Sequence, residues 1–548
     1  MNRKLSLILA FALAAPLTAE ETQRYLVSTR GGSGAKRLRV AANAELASKH
    51  RVRTFRNFDA FAADLTEAEV ADLQRRGDVI LQPVVERFAL EEAASTPIVQ
   101  PAQNPSANEP QTTPWGVSTI HANQVWPVTR GENVHVAVLD SGVELDHNDL
   151  EHALQPGFNA FDPSLQPIDG NRHGTHVSGT IAAADNSIGV VGVAPGVKLY
   201  PVKVLDDDGR GTDETLIAGI DWVIEKAKTT PGRWVMNISI GSGFPSVVEE
   251  TAVRNAISQD IVVVAAAGNT GNHNLRYPAK YDGVIAVGAS DIDSKRAEFS
   301  SYGVGLTLMA PGADVRSTLI KGYETSFELK VGTTPVRAWE VIGAGYGIVS
   351  SQVVDCAEGD PEDFPAAVQG KIALIWRSGR VLFREMVRNA REAGAVGVVI
   401  ATYEQDTTMY GSMTLYPDPP DPTFDNYPFL PTVAVLHATG KEIAAATNEV
   451  TITYRTAEYG TMNGTSMASP HVAGTVALLL SLAPELSVAQ IHYVLRHTAH
   501  DIYDSGWDYE TSWGVLDALA AARWVAPSRF GVPAPTPPVS PRRRSAGH

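Results

Sequence analysis

The sequence predicts an α/β fold on a mainly parallel sheet, and three observations carry that expectation. Val134-His135-Val136-Ala137-Val138-Leu139 and Ile261-Val262-Val263-Val264-Ala265-Ala266-Ala267 are apolar runs of strand length, as in strands covered on both faces. Two other stretches, Asn171 to Ala183 and Asn463 to Gly474, start polar and glycine-bearing and then turn small and apolar, as helices entered from a loop do. Both strands also end in groups suited to chemistry, Asp140-Ser141-Gly142 and Gly268-Asn269. Open α/β sheets bind ligands at that carboxyl edge.

Taken in order, the chain opens with Asn2-Arg3-Lys4, an apolar run from Leu5 to Leu13, and Ala14-Ala15-Pro16-Leu17-Thr18-Ala19, the series of a secretory signal spanning 1–19. Leu17 fits poorly as the third residue before a cut at Ala19, so the boundary stays open. The apolar core is too short to span a bilayer, and no later window is long and uncharged enough to do so. From 20 to 110 a separate unit is expected. Tyr25-Leu26-Val27, Ala60 to Leu65 and Val79 to Val84 read as strands, Thr66 caps a helix running through Leu73, and the polar stretch from Glu91 to Glu109 reads as a linker.

At 548 residues the chain exceeds one core. A formal net charge of −16 argues against a nucleic-acid partner. Cys356 is the single cysteine, so no intrachain disulfide forms; it is expected as a buried free thiol.

Ser466 lies between Gly464-Thr465 and a small-residue helix, where free backbone N–H groups and the helix dipole favour a developing oxyanion. Taken alone, such a segment is more often just a helix N-cap. A serine nucleophile requires a neutral histidine as base and a carboxylate behind it. His173, at the entrance of the Asn171 helix, and Asp140 are the candidates. Gly268-Asn269 alone is a turn signal.

The segments around Asp140, His173-Gly174-Thr175-His176 and Gly464-Thr465-Ser466-Met467-Ala468, in that order, resemble the subtilisin family of serine peptidases. The resemblance implies a three-layer α/β fold with Asp140, His173 and Ser466 as the triad, Asn269 lining the oxyanion hole, and His176 as a structural neighbour. It implies that Ser239, Ile240 and Gly241 pair with substrate and wall the first specificity pocket. Ala266, Ala267 and Gly268 form its opposite wall, leaving room for a large side chain. Arg276 falls near the pocket floor, where it either favours an acidic side chain or extends to water.

The unit 20–110 is similar to a small α+β inhibitory propeptide whose tail fills the cleft until it is cut, and Gln111-Thr112-Thr113-Pro114-Trp115 resembles a mature amino terminus. By the same resemblance, Gln111, Asp149 and Asn186 with the carbonyls of Ala184, Ile188 and Val190 form a structural Ca²⁺ site. Without it, the Ala184 to Val190 loop reads as a helix-ending turn.

The catalytic domain is divided, 111–317 and 458–525. The insert 318–457, with strands at Gly370 to Arg377, Gly394 to Ile400 and Leu430 to Val435 and a helix from Phe383 to Ala393, looks like a protease-associated (PA) domain, either a lid that selects substrates or a passive spacer. A proline-rich tail, 526–548, with Arg542-Arg543-Arg544, cannot bury a core. The expectation is a secreted, monomeric endopeptidase of bacterial type, extracellular or periplasmic, autoprocessed from a zymogen and acting on protein or peptide substrates, with its own propeptide as inhibitor. A catalytically silent binding scaffold and an esterase are the alternatives; the Ser239 strand speaks against the esterase.

Overall fold

The computed structural model describes residues 22–29, 46, 50–75, 79–90, 110–321, 324–342, 344–405, 411–412 and 429–532. The expected signal peptide, the linker after Leu90 and the tail beyond residue 532 lie outside these residues.

The N-terminal unit is a four-stranded antiparallel sheet of β1 (Thr22–Thr29), β2 (Val52–Thr54), β3 (Ala60–Thr66) and β4 (Val79–Pro83) in the order β2-β3-β1-β4, with helix α1 (Glu67–Arg75) packed against it. Thr66 and Glu69 cap α1 reciprocally, Glu69 N to Thr66 Oγ1 at 3.3 Å and Thr66 N to Glu69 Oε2 at 2.9 Å. Period-two alternation divides β3 between two cores. Phe61, Ala63 and Leu65 face Leu73 of α1, while Ala60 and Ala62, with Phe55 and Phe58, enter the core of the main domain. A further strand, β5 (Glu86–Ala89), leaves the unit.

The main domain holds a seven-stranded parallel sheet in the order β14-β13-β12-β10-β6-β8-β7. Its strands are β6 (Val134–Asp140), β7 (Phe158–Asn159), β8 (Lys198–Lys203), β10 (Arg233–Ile238), β12 (Val262–Ala266), β13 (Ile285–Ser290) and β14 (Leu308–Pro311). On one face, Val134, Val136 and Val138 pack with α2 (His173–Ala182) and with the serine helix α5 (Thr465–Leu482), α6 (Val488–Thr498) and α7 (Ala518–Val525). On the other, Ala137 and Leu139 pack with α3 (Asp213–Thr229) and α4 (Val247–Ser258). The result is the expected three-layer α/β architecture. Two short strands, β9 (Arg210–Thr212) and β11 (Ile240–Gly241), stand outside the sheet at the cleft.

Strand β15 (Val315–Thr318) leaves for the insert and β16 (Tyr459–Met462) returns antiparallel beside it, Thr318 opposite Tyr459. The insert carries the three expected strands, Ile372–Trp376, Gly397–Ala401 and Thr432–Val435, parallel to one another, with the expected helix at Phe383–Glu392. It also carries a four-stranded antiparallel sheet centred on Glu324–Val331 and Val450–Ala457, which the sequence reading missed. Cys356 is buried there, its thiol pushed up to about 12 by burial, so it is an inert free thiol.

Among the described residues, only α5 is long and apolar enough to cross a membrane, and it lies 89% buried in the fold. The segment expected as an unstructured tail begins with order. Pro527–Phe530 forms a 3₁₀ turn and Phe530 packs on the core.

Candidate active site

The carboxyl end of β6 delivers Asp140, whose Oδ1 accepts from His173 Nδ1 at 2.7 Å and from the Ser141 amide at 2.7 Å. Both side chains of the pair are wholly buried. A carboxylate only accepts, so Nδ1 carries the proton and Nε2 keeps the basic lone pair.

Asp169, a residue the sequence reading passed over, ties this corner together. Its Oδ1 accepts from Ser141 Oγ at 2.8 Å and from the amides of Asn171 and Arg172 at 2.9 and 3.1 Å. Its Oδ2 accepts from the amide and hydroxyl of Thr175 at 2.9 and 2.6 Å. A carboxylate beneath the first turn of α2 satisfies helix-start donors and so fixes the backbone that carries His173. In sequence, Asp169-Gly170 looks like an ordinary turn.

Ser466 is the second residue of α5. The N-cap is Gly464, at φ 149°, a conformation that only glycine enters without strain. The serine is therefore not the cap, and its hydroxyl donates at 2.6 Å to the carbonyl of Ser239. Four residues on, Pro470 lacks the N–H that would hold the Ser466 carbonyl in the helix ladder. Ser239 Oγ donates to that carbonyl at 3.1 Å instead, and itself receives Asn237 Nδ2 at 2.9 Å. The Ser466 backbone is thus clamped to the end of β10.

Asn269, beyond β12, donates its Nδ2 to the carbonyl oxygen of Leu90 at 2.8 Å. Thr465 fixes the amide in that sense, giving its backbone N–H at 2.9 Å and its hydroxyl at 2.8 Å to Asn269 Oδ1. The Ser466 amide approaches the same Leu90 oxygen at 3.4 Å. Two donors thus converge on one peptide carbonyl beside a serine hydroxyl, the arrangement that stabilises an oxyanion.

The segment that brings Leu90 there is β5, the middle strand of an antiparallel three-stranded sheet between β9 and β11. The expected Ser239–Gly241 edge forms one side, Ile240 opposite Ala89 and Gly241 opposite Phe88. The other side, Arg210–Thr212, is too short and polar to read from sequence. A Cβ on Gly241 would stand 3.0 Å from both Leu90 Cδ1 and Arg276 Cβ, so this glycine admits the Leu90 side chain. Ala266 and Ala267 are buried, and the Arg276 side chain runs past Gly268 and Gly241 toward Gly243. The side chain at this pocket is therefore apolar, with Arg276 alongside it.

The residues expected to bind calcium also gather. Asp149, wholly buried, accepts from Asn186 Nδ2 at 2.7 Å and Val190 N at 3.1 Å, and its backbone carbonyl accepts from Ala184 N at 2.9 Å. Gln111 Oε1 takes the Asn186 amide, and Asn186 Oδ1 takes Ile188 N at 2.8 Å. Among the described residues no cluster of three or more acidic, histidine or cysteine side chains could hold a metal. The donor set here is one carboxylate, two amides and backbone carbonyls. All are hard oxygen ligands, and burial raises the Asp149 carboxyl above its ordinary range, a cost a cation would relieve.

The family model described as the subtilase family matches residues 131–339 and 427–514, and the PA domain model matches 348–443. Subtilisin BL of Lederbergia lenta is 46% identical over 239 residues, 43% of this chain and 83% of that protein. The thermostable alkaline protease of Halalkalibacterium halodurans is 40% identical over 268 residues, 49% of this chain and 67% of that protein. The crystal structure of the psychrophilic subtilisin-like protease Apa1 of Pseudoalteromonas sp. AS-11 superposes with a TM-score of 0.52 at 27% identity, covering 78% of this chain and all of that one. With these matches laid over a parallel sheet whose edge holds a serine, a histidine and an aspartate, the chain belongs to the subtilase family, as a subtilisin-like serine endopeptidase with an inserted PA domain.

Proposed function

We propose that the chain is a secreted, self-processing zymogen in which Asp140, His173 and Ser466 form the triad and the bond from Leu90 to Glu91 is cut first. The observation that carries this reading is the seating of the Leu90 carbonyl between Asn269 Nδ2 and the Ser466 amide, on a strand held as a substrate would be.

The Ser466 hydroxyl first turns from the Ser239 carbonyl toward His173. Oγ then attacks the Leu90 carbonyl carbon while its proton passes to Nε2, and the carbonyl electron pair moves onto the oxygen facing Asn269. Collapse expels the Glu91 amine, which takes the proton back from His173, leaving an acyl ester on Ser466. Water hydrolyses that ester by the same proton route, and Leu90 ends as a carboxylate. Asp140 holds the tautomer and offsets the imidazolium charge.

The unit ahead of Leu90 is read as the inhibitory propeptide, within 20–110. It lays Phe55 and Phe58 on the main core, and Arg24 makes a two-pronged pair with Glu214, 2.8 Å on each arm. Burying a phenylalanine is worth roughly 1.5–3 kcal/mol, so apolar contact contributes at least as much as this partly exposed pair. A second cut ahead of Gln111 gives the final amino terminus. The basic and apolar series of residues 2–19 supports export. Gln111, Asp149 and Asn186 with the Ala184, Ile188 and Val190 carbonyls fit a structural Ca²⁺, which when bound ties the new amino terminus to its loop; the chemistry does not pass through it.

The test is expression of wild type beside Ser466→Ala, followed by mass spectrometry. The wild type is expected to release a fragment ending at Leu90, and the variant to stay whole. An earliest cut elsewhere, or normal maturation of the variant in a protease-free host, would refute the reading.

A further inference from the structure

Arg87 lies three residues before Leu90 on the strand in the cleft, and its large cationic side chain is fully buried. Its Nε and Nη2 donate to Glu249 Oε2 at 2.9 and 2.6 Å, and Nη1 donates to the Glu86 carbonyl at 3.1 Å. Glu249, also fully buried, is the third residue of α4. Asp213, the first residue of α3, is buried at the same place, holds the Val85 amide at 3.0 Å and contributes to the field around Arg87.

Glu249 Oε1 and Asp213 Oδ2 have no partner in ordinary hydrogen-bond geometry among the described residues, and the Tyr281 and Ser246 hydroxyls come near enough to favour their charged forms. One carboxylate, Glu249, therefore pairs with the guanidinium directly, and a second, Asp213, lies within its field. Burial lifts Glu249 to about 7 despite Arg87, with Asp213 adding to the rise. Removing the cation leaves two desolvated acids.

The neighbours on the strand differ. Phe88 is 41% exposed and Glu86 is exposed, whereas Arg87 between them is fully buried, so of these three side chains the enzyme encloses only that of Arg87. The register of β5 between β9 and β11 is made by backbone hydrogen bonds, which any extended peptide reproduces.

We propose that the peptidase selects a basic residue, arginine above all, at the fourth position before the bond it cuts, and that Glu249 and Asp213 are the residues that read it. This rests on the reading above that the bond after Leu90 occupies the catalytic position. It makes the propeptide tail Arg87-Phe88-Ala89-Leu90 a template for substrates, which are then proteins with a cation in that register.

The experiment is a set of fluorogenic peptides ending in X-Phe-Ala-Leu before the reporter, with X as arginine, citrulline or leucine, assayed on the matured wild-type enzyme. The arginine peptide is expected to exceed the leucine and citrulline peptides by roughly 10²-fold in kcat/KM, the scale of leaving a buried carboxylate unpaired. Glu249→Leu should lose that ratio and favour leucine; the substrate series on the wild type stands even if this variant fails to mature. Equal rates within about threefold for all three peptides on the wild type would overturn the proposal. Cleavage of none of them, with no labelling of Ser466 by a fluorophosphonate, would instead overturn the peptidase reading and this proposal with it.

Discussion

Asn269 and Thr465 form one unit. The Thr465 amide and hydroxyl both bind Asn269 Oδ1, at 2.9 and 2.8 Å, which leaves Asn269 Nδ2 only the direction of the Leu90 carbonyl. Asn269→Ala should lower kcat about 10²–10³-fold with KM little changed, a magnitude borrowed from the corresponding donor in subtilisin itself rather than obtained from this chain. Thr465→Val keeps the amide contact and loses the hydroxyl, so a smaller loss, about tenfold, is expected. Steady-state kinetics on a peptide ending in Leu checks both; equal losses in the two variants would contradict the division of labour.

Asp169 faces only donors, so its charge cannot be replaced by an amide without loss. In Asp169→Asn the new NH₂ must point either at the Thr175 amide and hydroxyl or at Ser141 Oγ and the Asn171 and Arg172 amides. Stability should fall by about 1–3 kcal/mol for the groups left unsatisfied. A shift at the start of α2 moves His173 against Asp140, so kcat should drop by at least about tenfold while KM stays near its wild-type value. A variant losing stability alone would make Asp169 a purely structural residue.

Buried histidines set an acid limb, His147 among them, held down to about 4 by burial. Burial holds His176 down to about 3, its Nε2 donating to the Val315 carbonyl, and His471 down to about 4, its Nδ1 donating to the Met467 carbonyl. Both folded values lie below the unfolded value of 6.5, so the unfolded chain takes up protons first. Their stabilisation is complete above pH 6.5 and is lost as the pH falls from there through about 4 for His471 and about 3 for His176. Glu249, raised to about 7 by burial, has the opposite sign, contributing fully below its unfolded value of 4.5 and losing that contribution as pH rises through about 7. The Ser466→Ala precursor should therefore lose stability gently between pH 6.5 and 4.5 and steeply below. His471→Gln should flatten the slope between pH 6.5 and 4 by about 1.4 kcal/mol per pH unit. Chemical denaturation at stepped pH measures it; an unchanged slope would show that His471 is not held neutral.

What could be read from the chain follows from how far each signal reaches along it. β6 and β12 announce themselves because strands covered on both faces must be apolar throughout, and the groups at their ends, Asp140 and Asn269, come with them. Glu249 and Asp213 do not, because an acid in a first helical turn is what the helix dipole favours anyway. Only the folded chain shows that both are buried beside Arg87, Glu249 on its guanidinium and Asp213 on the Val85 amide. β9 is three residues long and pairs across the cleft with a strand of another unit, so no local pattern marks it. The processing point proposed above is likewise hidden. Composition changes at the polar stretch after Leu90 and again at Gln111, and only the position of the Leu90 carbonyl distinguishes the two.

The Asp149 loop gives a last test. Asp149 is buried, its ordinary charged form is disfavoured by desolvation, and its hydrogen bonds come from Asn186 Nδ2 and the Val190 amide. A calcium ion held by Asp149, Asn186, Gln111 and the loop carbonyls replaces neutral donors with a full charge, and binding to the folded chain alone stabilises it by mass action, about 2.7 kcal/mol at a hundredfold excess over Kd. Chelation of the mature enzyme should therefore lower its thermal midpoint by several degrees, and added Ca²⁺ should restore it. Asp149→Asn should start from the lowered midpoint and respond to neither treatment. Because the loop lies away from Ser466, brief assays below the new midpoint should show unchanged kcat/KM. A midpoint indifferent to chelator in the wild type would mean that the loop is only the turn that ends α2, held by Asn186 and Val190 without a metal.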